Sequence, residues 1–294
     1  MRLIRCIYIS IVCCVASAFG IFANDAVSIK LNDYEAVRPK IALVLSGGGA
    51  RSLSQIGVLE ELVKAGIQID YIVGTSMGSI VGGLYASGYQ ASELDSIVKQ
   101  MNWQNLITLK KNQDRGDLFI DQKQIEDRSL LTLRFKKFRF VVPEAISAGS
   151  EFNTILQRIF LNSLYHSDKN YDNLRVPFRA VATDLLTGES VSQKSGNIIK
   201  AVRASSTLPL RYTPVRKDSM LFIDGGILAN IPVKEALEFN PDIIIAVNNT
   251  SPLFPDGELN TPWNIADQAI SISMKKFSEE AMAMADFVIT PKIG

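Results

Sequence analysis

The sequence predicts an α/β fold: a mostly parallel central sheet with helices on both faces. From residue 40 onward, short apolar runs of strand length alternate with segments of helical periodicity. The runs are apolar throughout rather than at every second position, as expected of strands that are buried on both sides. The chain has 294 residues, 47% hydrophobic and 21% charged, which suits one large globular domain of this class.

The first 39 residues precede this pattern. Residues 1–23 combine two arginines, an apolar run and small residues at its end, which is typical of a secretory signal peptide. An uncleaved membrane anchor is the alternative, because the run approaches the roughly 17–20 residues that a membrane span needs. Residues 24–39 are predicted to be a polar linker, and residues 40–294 the folded domain. All three cysteines lie in the leader, so we expect no disulfide and no thiolate metal site in the mature protein.

The first predicted strand, "IALVLS", ends in a run of three glycines, and "LSQIGVLEELVKAG" follows with helical spacing. A glycine loop between a strand and a helix is also found in dinucleotide-binding proteins. Here Ser52 replaces the third glycine of that motif, and no acid closes the second strand, so a nucleotide site is the weaker interpretation. The same glycines can instead direct backbone N–H groups to one point. The loop therefore predicts an oxyanion hole at Gly47, Gly48 and Gly49.

The second predicted strand, "IDYIV", ends in "GTSMG" before a helix of small residues. A serine between two glycines at a strand-to-helix turn is the pattern of a nucleophile elbow. Ser76 is the candidate nucleophile, and the N–H of Met77 is a candidate second oxyanion donor. The alternative is an ordinary N-cap serine, because serine is favoured at that position without any catalytic role.

The stretch from residue 103 to 149 is charged and irregular. Within it, "LTLRFKKFRFVV" alternates apolar and basic residues, which favours a half-exposed strand of a hairpin. The alternative is a basic, apolar flap that touches anionic lipid head groups.

A serine nucleophile needs a proton acceptor, and His166 is the only histidine in the chain. It lies in the polar stretch "NSLYHSDKN", which predicts a solvated loop. Asp224, after the apolar strand in "LFIDGG", is the preferred base, and Asp184 in "ATDLLTG" is the second choice. Partial burial would raise the pKa of such an aspartate and make it a better base.

Two more core strands are predicted at "DIIIAVNN" and "FVITP", and we expect a closing helix beyond the last one. Whether the domain stands alone or belongs to a longer chain is left open by the sequence.

In combination, "SGGGARS", "GTSMG", "DGG", "FRAVATDLLTGE" and "AVRASSTLP" resemble the patatin-like phospholipase family over residues 38–294, and the exported bacterial members most of all. The resemblance implies a three-layer α/β/α sandwich and a Ser–Asp dyad, with Ser76 as nucleophile and Asp224 as base. It implies an oxyanion hole at Gly47–Gly49, with Arg51 at the loop's basic position. Ser52 and Leu210 depart from the family pattern, each standing where glycine is usual.

By this resemblance the protein is expected to be a lipid acyl hydrolase of the phospholipase or esterase type, with no metal and no other cofactor. Its expected partner is a phospholipid or another acyl ester, with peripheral membrane contact. Its expected location is the periplasm, the outer membrane or the medium. An acyltransferase on the same dyad and a weakly active or inactive lipid-binding protein are the alternatives. The net charge of +1 gives no argument for a nucleic acid partner.

Overall fold

The computed structural model describes residues 38–100, 134–136, 139–141, 149–166, 169–209 and 211–293. The predicted signal peptide, residues 1–23, lies outside the described residues, as do residues 24–37 of the linker and Leu210, so these predictions stay untested. Residues 39–294 form one compact unit.

Eight strands of the described residues form one sheet in the order β10-β9-β1-β2-β5-β8-β7, with β6 paired to β5. Their bounds are Ile41–Leu45 (β1), Tyr71–Thr75 (β2), Phe178–Asp184 (β5), Glu189–Gln193 (β6), Val215–Lys217 (β7), Met220–Asp224 (β8), Ile243–Val247 (β9) and Phe287–Ile289 (β10). The five strands from β10 to β5 are parallel, and β6, β7 and β8 pair in antiparallel fashion. The predicted, mostly parallel sheet is confirmed, with an antiparallel end that the apolar runs did not reveal.

Arg134–Lys136 (β3) and Arg139–Val141 (β4) form a separate antiparallel pair. The predicted hairpin therefore lies where "LTLRFKKFRFVV" places it. The rest of the stretch from 103 to 148 lies outside the described residues, and the alternative of a flap that touches lipid head groups stays untested.

Helices connect the strands. Their bounds are Gln55–Lys64 (α1), Met77–Ala86 (α2), Ala91–Gln100 (α3), Ser150–Leu161 (α4), Ile198–Ser205 (α5), Gly226–Ala229 (α6), Val233–Ala236 (α7) and Pro262–Met282 (α8). A 3₁₀ helix, Gly49–Ser54, precedes α1. Among the described residues, no helix combines the length and the apolar character that crossing a membrane requires.

The two faces of the sheet bury separate cores, as the alternation of side chains along a strand requires. Leu43 and Leu45 of β1 pack in a cluster with residues of α1 to α5, whereas Ala42 and Val44 pack in a second cluster with residues of α7 and α8. These two layers of helices around one sheet confirm the three-layer α/β/α architecture.

Candidate active site

The two strands that lead to the predicted nucleophile and base end against the same edge of β5. β2 runs parallel to β5, and its last residue, Thr75, lies opposite Val181. β8 runs antiparallel to β5, and its last residue, Asp224, lies opposite Ala182. Because β6 occupies the other edge of β5 at both positions, the C-terminal ends of β2 and β8 face each other. The residue that follows Thr75 is therefore placed beside Asp224.

Ser76 occupies the sharp turn between β2 and α2. Its backbone has φ 54° and ψ −124°, a left-handed φ that residues with side chains rarely adopt. Such strain is typical of a nucleophile elbow. A Cβ atom on Gly74 would overlap the carbonyl oxygen of Gly78, and one on Gly78 would overlap that of Leu45. Both glycines of "GTSMG" are therefore required by the tight turn.

The Ser76 hydroxyl donates a hydrogen bond of 2.7 Å to Oδ2 of Asp224. The other carboxylate oxygen, Oδ1, accepts a bond of 2.7 Å from the N–H of Gly226. Asp224 is only 4% exposed, and this burial raises the pKa of its carboxyl from 3.8 to about 6, against the opposing effect of the two hydrogen bonds. The geometry thus joins a serine hydroxyl to a carboxylate of increased basicity.

The glycine loop after β1 lies beside the elbow. A Cβ atom on Gly47 would stand 3.2 Å from the Cβ of Ser76. The N–H of Gly47 donates to the carbonyl oxygen of Asn230 at 3.0 Å, so this donor is already in use. Gly47 therefore allows close approach to Ser76, and the potential oxyanion donors of the loop are the two glycines that follow.

Gly48 and Gly49 have φ values of 149° and 56°, which favour glycine. Within the described part of the chain, their N–H groups donate to no acceptor, and the same holds for Met77 at the first position of α2. Unpaired N–H groups are expected at a helix N-terminus. Gly49, Met77 and Ser76 also line one cavity, so N–H donors from two elements lie around Ser76.

The segment at the end of α5 holds Ser76 and Asp224 by their backbone groups. Oγ of Ser205 accepts a hydrogen bond of 3.0 Å from the N–H of Ser76. The carbonyl oxygen of Thr207 accepts one of 2.8 Å from the N–H of Asp224. The motif "AVRASSTLP" marked this segment as part of the family resemblance, but no residue pattern indicated these contacts.

Two buried asparagines fix the glycine loop, and sequence reasoning missed both. Besides accepting from Gly47, Asn230 donates through Nδ2 to the hydroxyl of Thr250. Asn249 donates through Nδ2 to the carbonyl oxygen of Arg51 and to the hydroxyl of Ser54. Their positions after "GGILA" and "IIIAV" show only that they follow buried elements.

Asp184, the second choice for the base, is buried at the end of β5, three residues beyond the position opposite Thr75. Its carboxylate accepts hydrogen bonds from the backbone N–H groups of Leu221 and Leu186 and from the hydroxyl of Thr187. These bonds, that of Leu221 first, lower its pKa. His166 is exposed on the loop after α4, and the hydrogen bonds described for Ser76 and Asp224 do not include it.

The two remaining residues of the glycine-loop motif, Arg51 and Ser52, lie in the 3₁₀ helix. Ser52 is fully buried, and its φ is not left-handed, so the backbone at this departure from the family pattern does not require glycine. Its hydroxyl lies next to Gly48. Arg51 is half-buried, and it contributes its carbonyl oxygen to the contact with Asn249.

Ser76 opens into an apolar cavity of about 360 Å³. The cavity follows α2 and is enclosed by side chains of the 3₁₀ helix, α1, α3 and α4; aliphatic and aromatic groups predominate. Its volume falls in the range of ligand pockets, about 300–1,000 Å³. Such a cavity can hold a hydrocarbon chain next to Ser76. Among the described residues, no group of three or more histidine, cysteine or carboxylate side chains is placed to hold a metal ion.

A family model described as patatin-like phospholipase matches residues 43–237, a range that contains the glycine loop, Ser76 and Asp224. The chain is 32% identical over 210 residues to patatin-like phospholipase domain-containing protein 6 of Mus musculus, covering 71% of this chain and 13% of that protein. It is also 32% identical over 210 residues to an uncharacterized NTE family protein of Mycobacterium tuberculosis, covering 71% of this chain and 49% of that protein. Among solved structures, VipD from Legionella pneumophila is similar with a TM-score of 0.43 and 17% identity, covering 79% of this chain and 52% of that chain. The match therefore spans about half of the mycobacterial relative and a smaller part of the mouse protein.

Proposed function

Because the chain belongs to the patatin-like phospholipase family, we propose that it is a lipid acyl hydrolase that cleaves carboxylic esters with a Ser76–Asp224 dyad. The observation that carries the proposal is the 2.7 Å hydrogen bond from the Ser76 hydroxyl to Asp224, made on the wall of an apolar cavity. A nucleophile, a base and a site for an acyl chain are thus joined in one place.

In the first half of the reaction, the Ser76 oxygen attacks the ester carbonyl carbon while its proton passes to Oδ2 of Asp224. The carbonyl oxygen becomes an oxyanion, for which the N–H groups of Gly48, Gly49 and Met77 are the donors we propose. One such donor is worth about 2.7–4 kcal/mol in another serine hydrolase. The bond to the leaving alcohol then breaks, and the alcohol oxygen takes the proton from Asp224.

In the second half, Asp224 accepts a proton from water as the water oxygen attacks the acyl carbon. The bond between the acyl carbon and the Ser76 oxygen breaks, the serine recovers its proton, and the carboxylic acid is released. The raised pKa suits this cycle, because a carboxylate that titrates at about 6 is a stronger base than an exposed aspartate and is still mostly ionised at pH 7.

The expected substrate is a phospholipid or another ester with a hydrocarbon acyl chain, since the cavity beside Ser76 is apolar. Because residues 1–23 have the composition of a secretory signal peptide, we also propose that the chain is exported. We propose that it meets its substrate at a membrane surface.

The proposal is tested by measuring fatty acid release from mixed phospholipids by the purified protein and three variants. Ser76→Ala and Asp224→Asn are each expected to lower turnover by about a thousandfold or more, because each removes one member of the dyad. His166→Ala is the matched control for a histidine-dependent mechanism, and its turnover should stay within about twofold of the wild type.

Turnover by Ser76→Ala equal to that of the wild type would reject the hydrolase. Loss of activity in His166→Ala would reject the dyad. Adding glycerol separates hydrolysis from acyl transfer, since a transferase would convert glycerol to acylglycerol instead of releasing fatty acid.

A further inference from the structure

Two adjacent leucines are exposed in the turn that joins β5 to β6. Leu185 is 52% exposed and Leu186 is 59% exposed, and together with Thr187 and Gly188 they make up the turn. None of these four residues carries a formal charge. A single exposed leucine is ordinary, whereas adjacent apolar side chains on an uncharged protrusion are a feature of interaction sites. Leu185 and Leu186 are called the apolar tip below.

Hydrogen bonds hold the apolar tip in place. The buried carboxylate of Asp184, the last residue of β5, accepts from the N–H groups of Leu186 and Leu221 at 3.2 and 2.9 Å. The carbonyl oxygen of Asp184 accepts a bond of 2.8 Å from the N–H of Gly188, which closes the turn. The N–H of Leu185 donates to the carbonyl oxygen of Leu221 at 2.8 Å. Because these bonds fix the turn in the free protein, the two leucines lose little conformational freedom on binding.

The apolar tip lies at the end of the sheet where Ser76 and Asp224 meet. Ala182 of β5 lies opposite Asp224, and Leu185 follows three residues later, about 10 Å further along the strand direction at 3.4 Å per residue. An amphipathic helix at a bilayer buries its apolar face about 5–10 Å into the boundary between head groups and acyl chains. The same depth at the apolar tip would bring Ser76 to within about 5 Å of that boundary. The esters of a phospholipid lie there.

The cavity beside Ser76 reaches the surface next to β8, the strand that also holds the apolar tip. The floor of the cavity consists of leucines that are at most 5% exposed: Leu84, Leu94 and Leu156. Leu208, which also lines the cavity, is 45% exposed. It follows Thr207, whose carbonyl oxygen accepts from the N–H of Asp224 at the C-terminal end of β8, whereas the tip is bonded to Leu221 of the same strand. Exposed apolar groups therefore adjoin β8 at two points.

We propose that Leu185 and Leu186 dock the protein onto a phospholipid bilayer by entering its acyl region. The inference rests on the proposed function and deepens it, since it names the residues that make the membrane contact. A bilayer is the partner that the neighbouring site favours, because the ester expected at Ser76 is itself a component of such a bilayer. The contact is apolar and uncharged. It therefore needs no anionic lipid, and salt does not weaken it as salt weakens the attraction of exposed basic residues to lipid head groups.

The binding test uses the Ser76→Ala protein, so that the vesicles are not hydrolysed. Its partition coefficient onto phosphatidylcholine vesicles, measured by sedimentation, should fall about ten- to a hundredfold when Leu185→Ser and Leu186→Ser are combined. Two half-exposed leucines bury about as much apolar surface as one complete side chain, which accounts for this range. Each single substitution should lower the coefficient about three- to tenfold. Raising sodium chloride from about 0.1 to 1 M should change the binding of the Ser76→Ala protein by no more than about twofold.

Leu237→Ser is the matched control for Leu185→Ser. Leu237 is 51% exposed, but it lies in the 3₁₀ helix Leu237–Phe239, and the ring of Phe239 stacks on that of Tyr71 at the start of β2. It therefore belongs to the opposite end of the parallel strands, and its replacement should leave vesicle binding unchanged. An equal loss in the control, no loss in the combined tip variant, or binding that disappears at high salt would overturn the docking site. Thermal unfolding of each variant shows whether a loss comes from the fold, and the single variants keep the test valid if the combined variant unfolds.

A rate measurement separates this inference from the hydrolase proposal. In the protein with Ser76 intact, the combined tip variant should lower kcat/KM on phosphatidylcholine vesicles about ten- to a hundredfold. Its kcat/KM for dissolved p-nitrophenyl butyrate should change by no more than about twofold, because neither leucine lines the cavity. Equal losses on both substrates would overturn the docking site.

Tip-dependent vesicle binding by a protein without hydrolytic activity would support the docking site and reject only the proposed function. Hydrolysis of the dissolved ester together with vesicle binding that ignores the tip would have the opposite meaning. Sedimentation without lipid covers the remaining partner: if the tip variant loses self-association but keeps vesicle binding, the tip is a contact between copies of this chain and the membrane assignment is overturned.

Discussion

Asp224 combines burial, which raises its pKa to about 6, with a direct hydrogen bond from the Ser76 hydroxyl. As the proposed base it must be ionised. Lowering the pH through 6 therefore protonates it and removes its ability to accept the proton of Ser76. We expect kcat/KM to be half-maximal near pH 6, to fall about tenfold per pH unit below roughly pH 5, and to level off above roughly pH 7. Initial rates on a soluble ester between pH 4 and 9 test this.

The same acid limb would be produced by an unperturbed histidine, which titrates at about 6.5. The pH profile of His166→Ala is therefore the control, and it should superimpose on that of the wild type. A shift or disappearance of the acid limb in this variant would assign the titration to the histidine and exclude Asp224 as its source.

Ser76 and Asp224 stand out in the sequence as candidate nucleophile and base, because each lies at the end of an apolar strand and adjoins glycines, a local signal. Ser205 and Thr207, which hold these residues through backbone groups, do not stand out. A serine hydroxyl that accepts from a backbone N–H, or a carbonyl oxygen that accepts from a distant strand, leaves no pattern in composition or spacing. The sequence also predicted Gly47 as an oxyanion donor. Only the fold shows that the N–H of Gly47 already donates to the carbonyl oxygen of Asn230.

At the scale of the elements, the elbow depends on how closely β1, β2 and α2 approach one another. Gly78→Ala would place a Cβ atom against the carbonyl oxygen of Leu45. We expect the displaced helix to lower the free energy of unfolding by about 1–3 kcal/mol and to lower turnover with it. Chemical denaturation and ester hydrolysis measure the two effects.

Gly57→Ala is the matched control. Gly57 lies in α1, and a Cβ atom there would meet no other atom within 4 Å. This alanine should raise the free energy of unfolding by about 0.5–1 kcal/mol, since glycine destabilises a helix interior by that amount. Activity and stability of Gly78→Ala equal to those of the control would show that the turn tolerates a side chain and contradict the packing described for the elbow.

The parallel strands and β8 were predictable from their apolar runs. β6 and β7, with the sequences ESVSQ and VRK, have no such run, and the pairing of the strands was not predictable. The sequence of β8 resembles those of the parallel strands, because a strand buried on both faces needs the same apolar residues whether it runs parallel or antiparallel to its neighbour. That it runs antiparallel and stops opposite Ala182 depends on the register with β5. The position of Asp224 beside Ser76 was therefore expected from motif resemblance, whereas the physical reason for it required the sheet.

At the scale of the whole molecule, an apolar cavity runs beside α2 from Ser76 to Leu84, a span of about 12 Å at 1.5 Å per residue. Each methylene of an acyl chain that enters it should contribute about 0.8 kcal/mol of burial, or about fourfold in kcat/KM. We expect kcat/KM for a series of p-nitrophenyl esters to rise from acetate until the chain reaches the floor and then to level off.

Ile155→Trp adds volume to the cavity wall at α4 and should end the rise at a shorter chain. Ile265→Trp is the matched control, because Ile265 is exposed on α8 and does not line the cavity. Its series should follow that of the wild type. A series that does not depend on chain length would show that the acyl chain binds elsewhere.

The meeting of β2 and β8 on one edge of β5 also determines when the site can first exist during protein synthesis. Ser76 and Asp224 are 148 residues apart in the chain. A ribosome that adds 5–20 residues per second needs about 7–30 s to cover that distance. Throughout this interval the nascent chain carries Ser76 but neither the Asp224 carboxylate that we propose as its proton acceptor nor β8, which completes the edge. The timing of translation therefore keeps the serine without its partner until most of the domain has been made.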